Sequence, residues 1–241
     1  MRTPERMARF QQELYHFAQV FESEHLLDTY VFCLSEHNPQ DHDGLLSMWR
    51  GYGANGNGAA IVFDTAKMTA QKASSPLIIS KVEYGSADAR INFLKTLFAK
   101  FAALLNAANL PDDKTYIAAS MLFDRIKQFA LFTKHIGFIE ENEWRVVYMA
   151  ERDADKVLKS MFSHSVGPRG IEPKMKFKVK PIQEFSSGDL SLEKLIERII
   201  LGPSVASPIA KAAVSRMLDA HNKSALKNRV IASSIPFRAI G

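Results

Sequence analysis

Apolar residues recur in this chain at two different periods, and the switching between them rules out an all-helical and an all-strand fold. Met7, Phe10, Leu14, Phe17 and Phe21 follow three- and four-residue steps, so residues 3–24 are expected to form an amphipathic helix. Thr3 is placed to cap it, with Pro4 at its first position. Residues 30–35, rich in aromatic and β-branched side chains, read instead as a strand. A short helix over 44–52 and a buried strand over 58–64 follow. Of two longer helices, one carries Ile91, Leu94, Phe98, Phe101 and Leu105 on a single face, the other Ala119, Leu122, Ile126, Phe129 and Phe132. The Pro111-Asp112-Asp113 turn between them predicts an antiparallel pair spanning 87–135, inserted as a lid on the sheet. Strands at 143–150 and 174–181, a short helix at 192–197, and a strand–helix–strand unit from 198 to 234 complete the reading. The expected fold class is α+β: one domain over residues 1–241, with a mixed sheet, flanking helices and a helical-pair insertion.

Composition narrows the setting. Hydrophobic residues make up 46% of the chain and charged residues 24%, as in an ordinary packed domain. The longest apolar runs, such as 98–105, are broken by Lys100 and fall short of a membrane span. The opening Met1-Arg2-Thr3-Pro4-Glu5-Arg6 carries no apolar core of a signal peptide. Cys33, the only cysteine, excludes an intramolecular disulfide and suits a reducing compartment. A cytoplasmic location without a membrane partner is therefore expected. The formal net charge of +5 permits nucleic-acid contact but does not demand it, and no base-stacking motif adds to it.

Two constellations could carry chemistry. In the first, Phe32-Cys33-Leu34-Ser35-Glu36 ends a strand in a polar pair, and Met48-Trp49-Arg50-Gly51-Tyr52-Gly53 follows as a helix with Trp49 and Tyr52 on one face. Such an arrangement can stack a flat, partly charged ring. Core packing of both aromatics explains the spacing equally simply, and spacing alone favours it. Gly53, Gly56 and Gly58 follow a helix and precede a strand, the reverse of a phosphate loop, so Asn55-Gly56 and Asn57-Gly58 read as turns.

The second constellation is Lys134-His135 followed by Glu140-Glu141-Asn142-Glu143-Trp144-Arg145. Strand alternation places Glu141, Glu143 and Arg145 on one face, with Trp144 and Val146 on the other, buried side. Two carboxylates so close repel, which is expected to raise one pKa and ready it for acid–base work or cation stabilisation. A solvated strand face neutralised by Arg145 is the competing reading. His37, Asp41, His42 and Asp43 are metal-ligand types without a regular ligand spacing, so no metal is expected. Lys174, Lys176, Lys178 and Lys180 alternate with apolar residues, as on a guarded edge strand.

Together these stretches resemble the bacterial family known as domain of unknown function 2971. Its pattern is matched by Phe32-Cys33-Leu34-Ser35-Glu36, Met48-Trp49-Arg50-Gly51-Tyr52-Gly53, Gly58-Ala59-Ala60-Ile61-Val62-Phe63-Asp64 and Lys134-His135. It continues through Glu141-Asn142-Glu143-Trp144-Arg145, Ile199-Ile200-Leu201-Gly202-Pro203 and Ser233-Ser234-Ile235-Pro236-Phe237-Arg238. The family's usual opening, a Tyr-Arg-Ser-like start and an Asn-Asp-Pro turn, does not precede Tyr30, so this copy is expected to lack that strand. A looser likeness to ADP-ribosyltransferases implies a strand-end serine, an aromatic that stacks on nicotinamide, and a later glutamate, often the second of a Glu-x-Glu pair. Ser35, Tyr52 (or Trp49), and Glu143 with Glu141 before it would fill those roles, Glu143 stabilising the oxocarbenium-like charge as nicotinamide leaves.

The resulting expectation is an enzyme-like domain with a nucleotide-type pocket and NAD as cofactor. Glu143, Glu141 and Ser35 are its candidate catalytic residues; Trp49, Arg50, Tyr52, Lys134 and Arg145 are its candidate substrate contacts. The alternative is a non-catalytic binding or sensor module, in phage defence or a toxin system. A small nucleotide is the expected ligand under the first reading, nucleic acid is disfavoured, and the sequence leaves the oligomeric state open.

Overall fold

A computed structural model describes residues 3–67, 75–108, 110–168, 170–177, 179 and 190–237. Its regular elements begin with α1 (Pro4–Val20), β1 (Thr29–Ser35), α2 (Leu46–Gly51) and β2 (Ala59–Phe63). They continue with β3 (Leu77–Lys81), β4 (Glu83–Gly85), α3 (Ala87–Ala108), α4 (Thr115–Phe132) and β5 (Thr133–His135). After β6 (Glu143–Met149) come β7 (Phe162–Gly167), β8 (Gly170–Met175), α5 (Leu192–Leu195), β9 (Ile196–Leu201), α6 (Pro208–Ala220) and β10 (Val230–Ala232). The fold is α+β, with its strands distributed over several small sheets. The chain divides into two compact units, residues 1–35 with 76–176 and residues 36–75 with 177–241.

In the first unit β6 is the middle strand of an antiparallel sheet ordered β1-β6-β3. Its β-branched and long apolar residues pack under the end of α4, where Val147 and Met149 meet Phe132. α1 starts as its sequence requires, the Thr3 hydroxyl accepting the Arg6 N–H at 3.3 Å. Its apolar face lies on α4, with Phe10 against Ala118, Ala119 and Leu122. Alanines at that contact let the two helices approach closely. α3 joins through Phe101 and Leu105, and its Phe93 stacks on Phe129 at 5.3 Å. The expected pair is thus a group of three helices, because the Phe10 face of α1 also needs cover.

α3 is longer than its broken apolar runs suggested. At 22 residues, with a mean hydropathy of 1.2 over its most apolar window, it is long and apolar enough to cross a membrane. The strand expected at 174–181 lies at 170–175, paired antiparallel with β7. There the Lys174 side chain is 44% exposed and pairs with Glu172 at 3.1 Å; Lys178, Lys180 and Pro181 lie outside the described residues.

The second unit holds a mixed sheet ordered β10-β9-β2, with β9 and β10 parallel around α6, as the strand–helix–strand spacing requires. Ile196, Ile199, Leu201, Leu218, Leu226 and Val230 form its core. The strand expected to be buried, β2, is only partly so: Ile61 is 51% exposed. The glycine-rich turn before it serves backbone packing. The Gly202 N–H donates to the Gly58 carbonyl at 2.9 Å, and the Ser204 N–H to the Gly56 carbonyl at 3.0 Å. A Cβ on Gly202 would lie closer than 3.0 Å to the carbonyl oxygens of both Gly56 and Gly58. Gly202→Ala is therefore expected to lose about 1–3 kcal/mol by urea unfolding, as overpacking does. Gly51→Ala, where an added Cβ meets nothing within 4 Å, should be neutral or slightly stabilising.

Candidate functional site

The turn at Ile136–Glu141 ends in Asn142, whose left-handed backbone (φ 41°) feeds the chain into β6 at Glu143. From there residues 143, 145, 147 and 149 share one face. That face is covered at Glu143, Val147 and Met149, while the opposite face is open at Trp144 and covered only at Tyr148. Glu143 is 3% exposed and Trp144 is 37% exposed, the reverse of the expected assignment. The face carrying Glu143 and Arg145 runs on into Val147 and Met149, which pack beneath α4. Arg145 also donates through Nη1 to the carbonyl of Leu131, in the last turn of α4, where a cation meets the negative end of the helix dipole. On the opposite face Tyr148 packs against Tyr30 and Phe162.

The charges form a closed network. Arg145 Nε lies 2.8 Å from Glu143 Oε1, and its Nη2 lies 3.3 Å from Oε2. Lys134 Nζ reaches Glu143 Oε2 at 3.1 Å and Glu141 Oε2 at 2.5 Å. β5 delivers Lys134 because it pairs in parallel with β4, Tyr84 opposite Lys134. The Tyr84 hydroxyl in turn accepts the Glu143 N–H at 2.9 Å. On β1, Cys33 lies opposite Arg145 and Ser35 opposite Glu143. Lys134 also sits 4.7 Å from the centre of the Phe138 ring, a cation–π contact across the turn.

Burial alone would raise the Glu143 carboxyl. Hydrogen bonds from Arg145, Cys33 and Lys134, with the charge of Arg145, overcome it and hold the group at about 2. The expected upward shift from a repelling carboxylate pair is thereby reversed, since each carboxylate has a cation between it and the other. Burial likewise opposes the charge on Lys134, but hydrogen bonds to Glu141 and Glu143 carry its pKa up. Burial and the neighbouring Glu143 carboxylate push the Cys33 thiol up to about 11, so it stays protonated and poorly nucleophilic at neutral pH.

In the second unit Trp49 is a core residue, 4% exposed, with Nε1 donating to the Asp43 carbonyl at 2.8 Å. Its ring lies close over Gly44 and Gly53; a Cβ on Gly53 would come within 2.6 Å of it. No face is left on which a ligand could stack. Tyr52 caps the C-terminus of α2, its N–H bonded to the Met48 carbonyl at 2.8 Å, and is 67% exposed, so it does not join Trp49 in the core. Arg50 lies 5.9 Å from the centre of the Phe237 ring.

Sequence reasoning missed the role of Asp43. Its carboxylate accepts the Ser234 N–H and the hydroxyls of Ser233 and Ser234, and the Ser234 backbone bond leads in lowering its pKa. The adjacent Ser233-Ser234 was the available signal. His37 bonds through Nε2 to the Asp41 carbonyl at 3.0 Å. Among the described residues no group of three His, Cys, Asp or Glu side chains is placed to hold a metal ion.

Residues 48–146 match the model of a family described as protein of unknown function (DUF2971), and over that span the chain resembles it. The span runs from α2 into β6 and includes Lys134, Glu141, Glu143 and Arg145. Comparison with curated proteins and with solved structures finds no match.

Proposed function

We propose that the chain is a non-catalytic binding module whose recognition element is the turn at Ile136–Glu141, fixed by the charged network beneath it. The observation that carries this reading is the engagement of Glu143, both of whose carboxylate oxygens accept hydrogen bonds from cations. A carboxylate so neutralised offers little negative charge to a developing oxocarbenium ion and, at a pKa of about 2, is a poor general base. The same network spans the turn, because Lys134 precedes it and Glu141 closes it. On that turn Ile136 is 41%, Phe138 49% and Ile139 54% exposed. Binding residues gather on loops held by a rigid support, and clustered exposed apolar side chains mark contact surfaces.

NAD-dependent ADP-ribosyl transfer, the second reading, draws support from one register: Ser35 lies directly opposite Glu143 on neighbouring strands. The two readings separate in one experiment. Under the binding-module reading, NAD gives no heat in calorimetry and no nicotinamide is released with protein, DNA or RNA acceptors. Phe138→Ser with Ile139→Ser keeps the fold at a cost of about 1 kcal/mol per substitution, Phe138 giving up its contact with Lys134, yet loses a partner that co-purifies with the wild type from its own cells. Nicotinamide release that disappears in a folded Glu143→Gln variant would overturn the proposal in favour of the transferase.

A further inference from the structure

β1 is an outer strand of its sheet, so one row of its backbone N–H and C=O groups has no strand partner among the described residues. Outer strands usually carry a charge, a proline or a bulge that discourages further pairing. Thr29-Tyr30-Val31-Phe32-Cys33-Leu34-Ser35 has no charged residue and no proline, and its register against β6 is unbroken from Thr29 to Ser35. Val31 is 44% and Phe32 49% exposed, and Cys33 is exposed as well.

The strand also reads nearly alike in both directions about Phe32. Val31 and Cys33, both small and apolar, flank it. Tyr30 and Leu34 are the large apolar residues beyond them, and Thr29 and Ser35 place a hydroxyl at each end. Antiparallel pairing about a two-fold axis at Phe32 sets Val31 opposite Cys33, Tyr30 opposite Leu34 and Thr29 opposite Ser35. Alternate residues of a strand direct their backbone groups outward, either 30, 32 and 34 or 29, 31, 33 and 35. An axis at Phe32 maps each of these sets onto itself. Two-fold dimers require a surface complementary to itself, and this edge meets that requirement.

We infer that β1 pairs antiparallel with β1 of a second copy, joining two three-stranded sheets into one of six strands. The edge of one strand is a small interface, so the association is weak and concentration-dependent.

Sedimentation at up to about 1 mM protein is expected to show a monomer–dimer equilibrium. Phe32→Lys sets two lysines face to face and should raise the dissociation constant by at least about tenfold. Val31→Lys, at an exposed position, is the second variant should Phe32→Lys fail to fold, with circular dichroism checking both. A wild type that stays monomeric at about 1 mM would overturn the inference, as would a dimer that survives in a folded variant.

Discussion

Replacing Glu143 by glutamine is expected to lower the folding free energy by about 3 kcal/mol, the low end of the range for breaking a buried ion pair. Glu143 is enclosed, with its side chain 4% exposed, while Lys134 and Arg145 keep 21% and 15% of theirs in water. That residual hydration holds the loss to the lower figure. The pH dependence of the wild type carries the same information. The carboxyl has a pKa of about 2 in the folded protein against an ordinary 4.5, so its stabilisation is fully present above pH 4.5. It is lost as the pH falls towards 2. The difference between 4.5 and about 2 corresponds to about 3 kcal/mol across that window. Urea unfolding of wild type and Glu143→Gln at pH 7, 4 and 3 should give curves that converge as the pH falls. Equal stability of the two proteins at pH 7 would refute the structural role of this residue.

Trp49→Ala should cost about 3–5 kcal/mol, the range for deleting a large buried aromatic. Its ring fills the space above Gly44 and Gly53, so the surrounding backbone cannot close the cavity without moving the turn. Trp49→Phe fills much of that space but leaves the Asp43 carbonyl without its indole donor, a loss of about 1–3 kcal/mol. Tyr52→Ala, at an exposed position, should stay within about 0.5 kcal/mol. Chemical denaturation of the three variants ranks them, and a Trp49→Ala protein as stable as Tyr52→Ala would contradict the enclosed ring.

The elements most legible in the sequence were those with long periodic patterns or clear punctuation. α1 announced itself by Thr3, Pro4 and its apolar stripe, and the β9–α6–β10 unit by Gly202-Pro203 between its strand and helix. β4 and β5 were illegible because three-residue strands carry no period, and β3 lay in a run too short to separate strand from turn. The candidate site was legible in its residues but not in its orientation. Alternation at 143–149 defines two faces and cannot say which one is covered. Apolar Trp144 and Val146 argued for their own burial, yet the cover belongs to the side where Lys134, the Leu131 carbonyl and Phe132 are brought by chain segments outside β6. Electrostatic pairing across that distance leaves no mark in local spacing.

The glycine contact between Gly202 and the turn at 56–58 also has a kinetic consequence. β2 finds its partner in β9, with Ala59 opposite Leu201, so the second unit must close one of the longest loops in the chain before its sheet exists. Every strand of the β1-β6-β3 sheet has left the ribosome by Met149, well before β9 does. During synthesis β2 therefore waits as an apolar segment with an unfilled edge, exposed to chance pairing until the last quarter of the chain emerges.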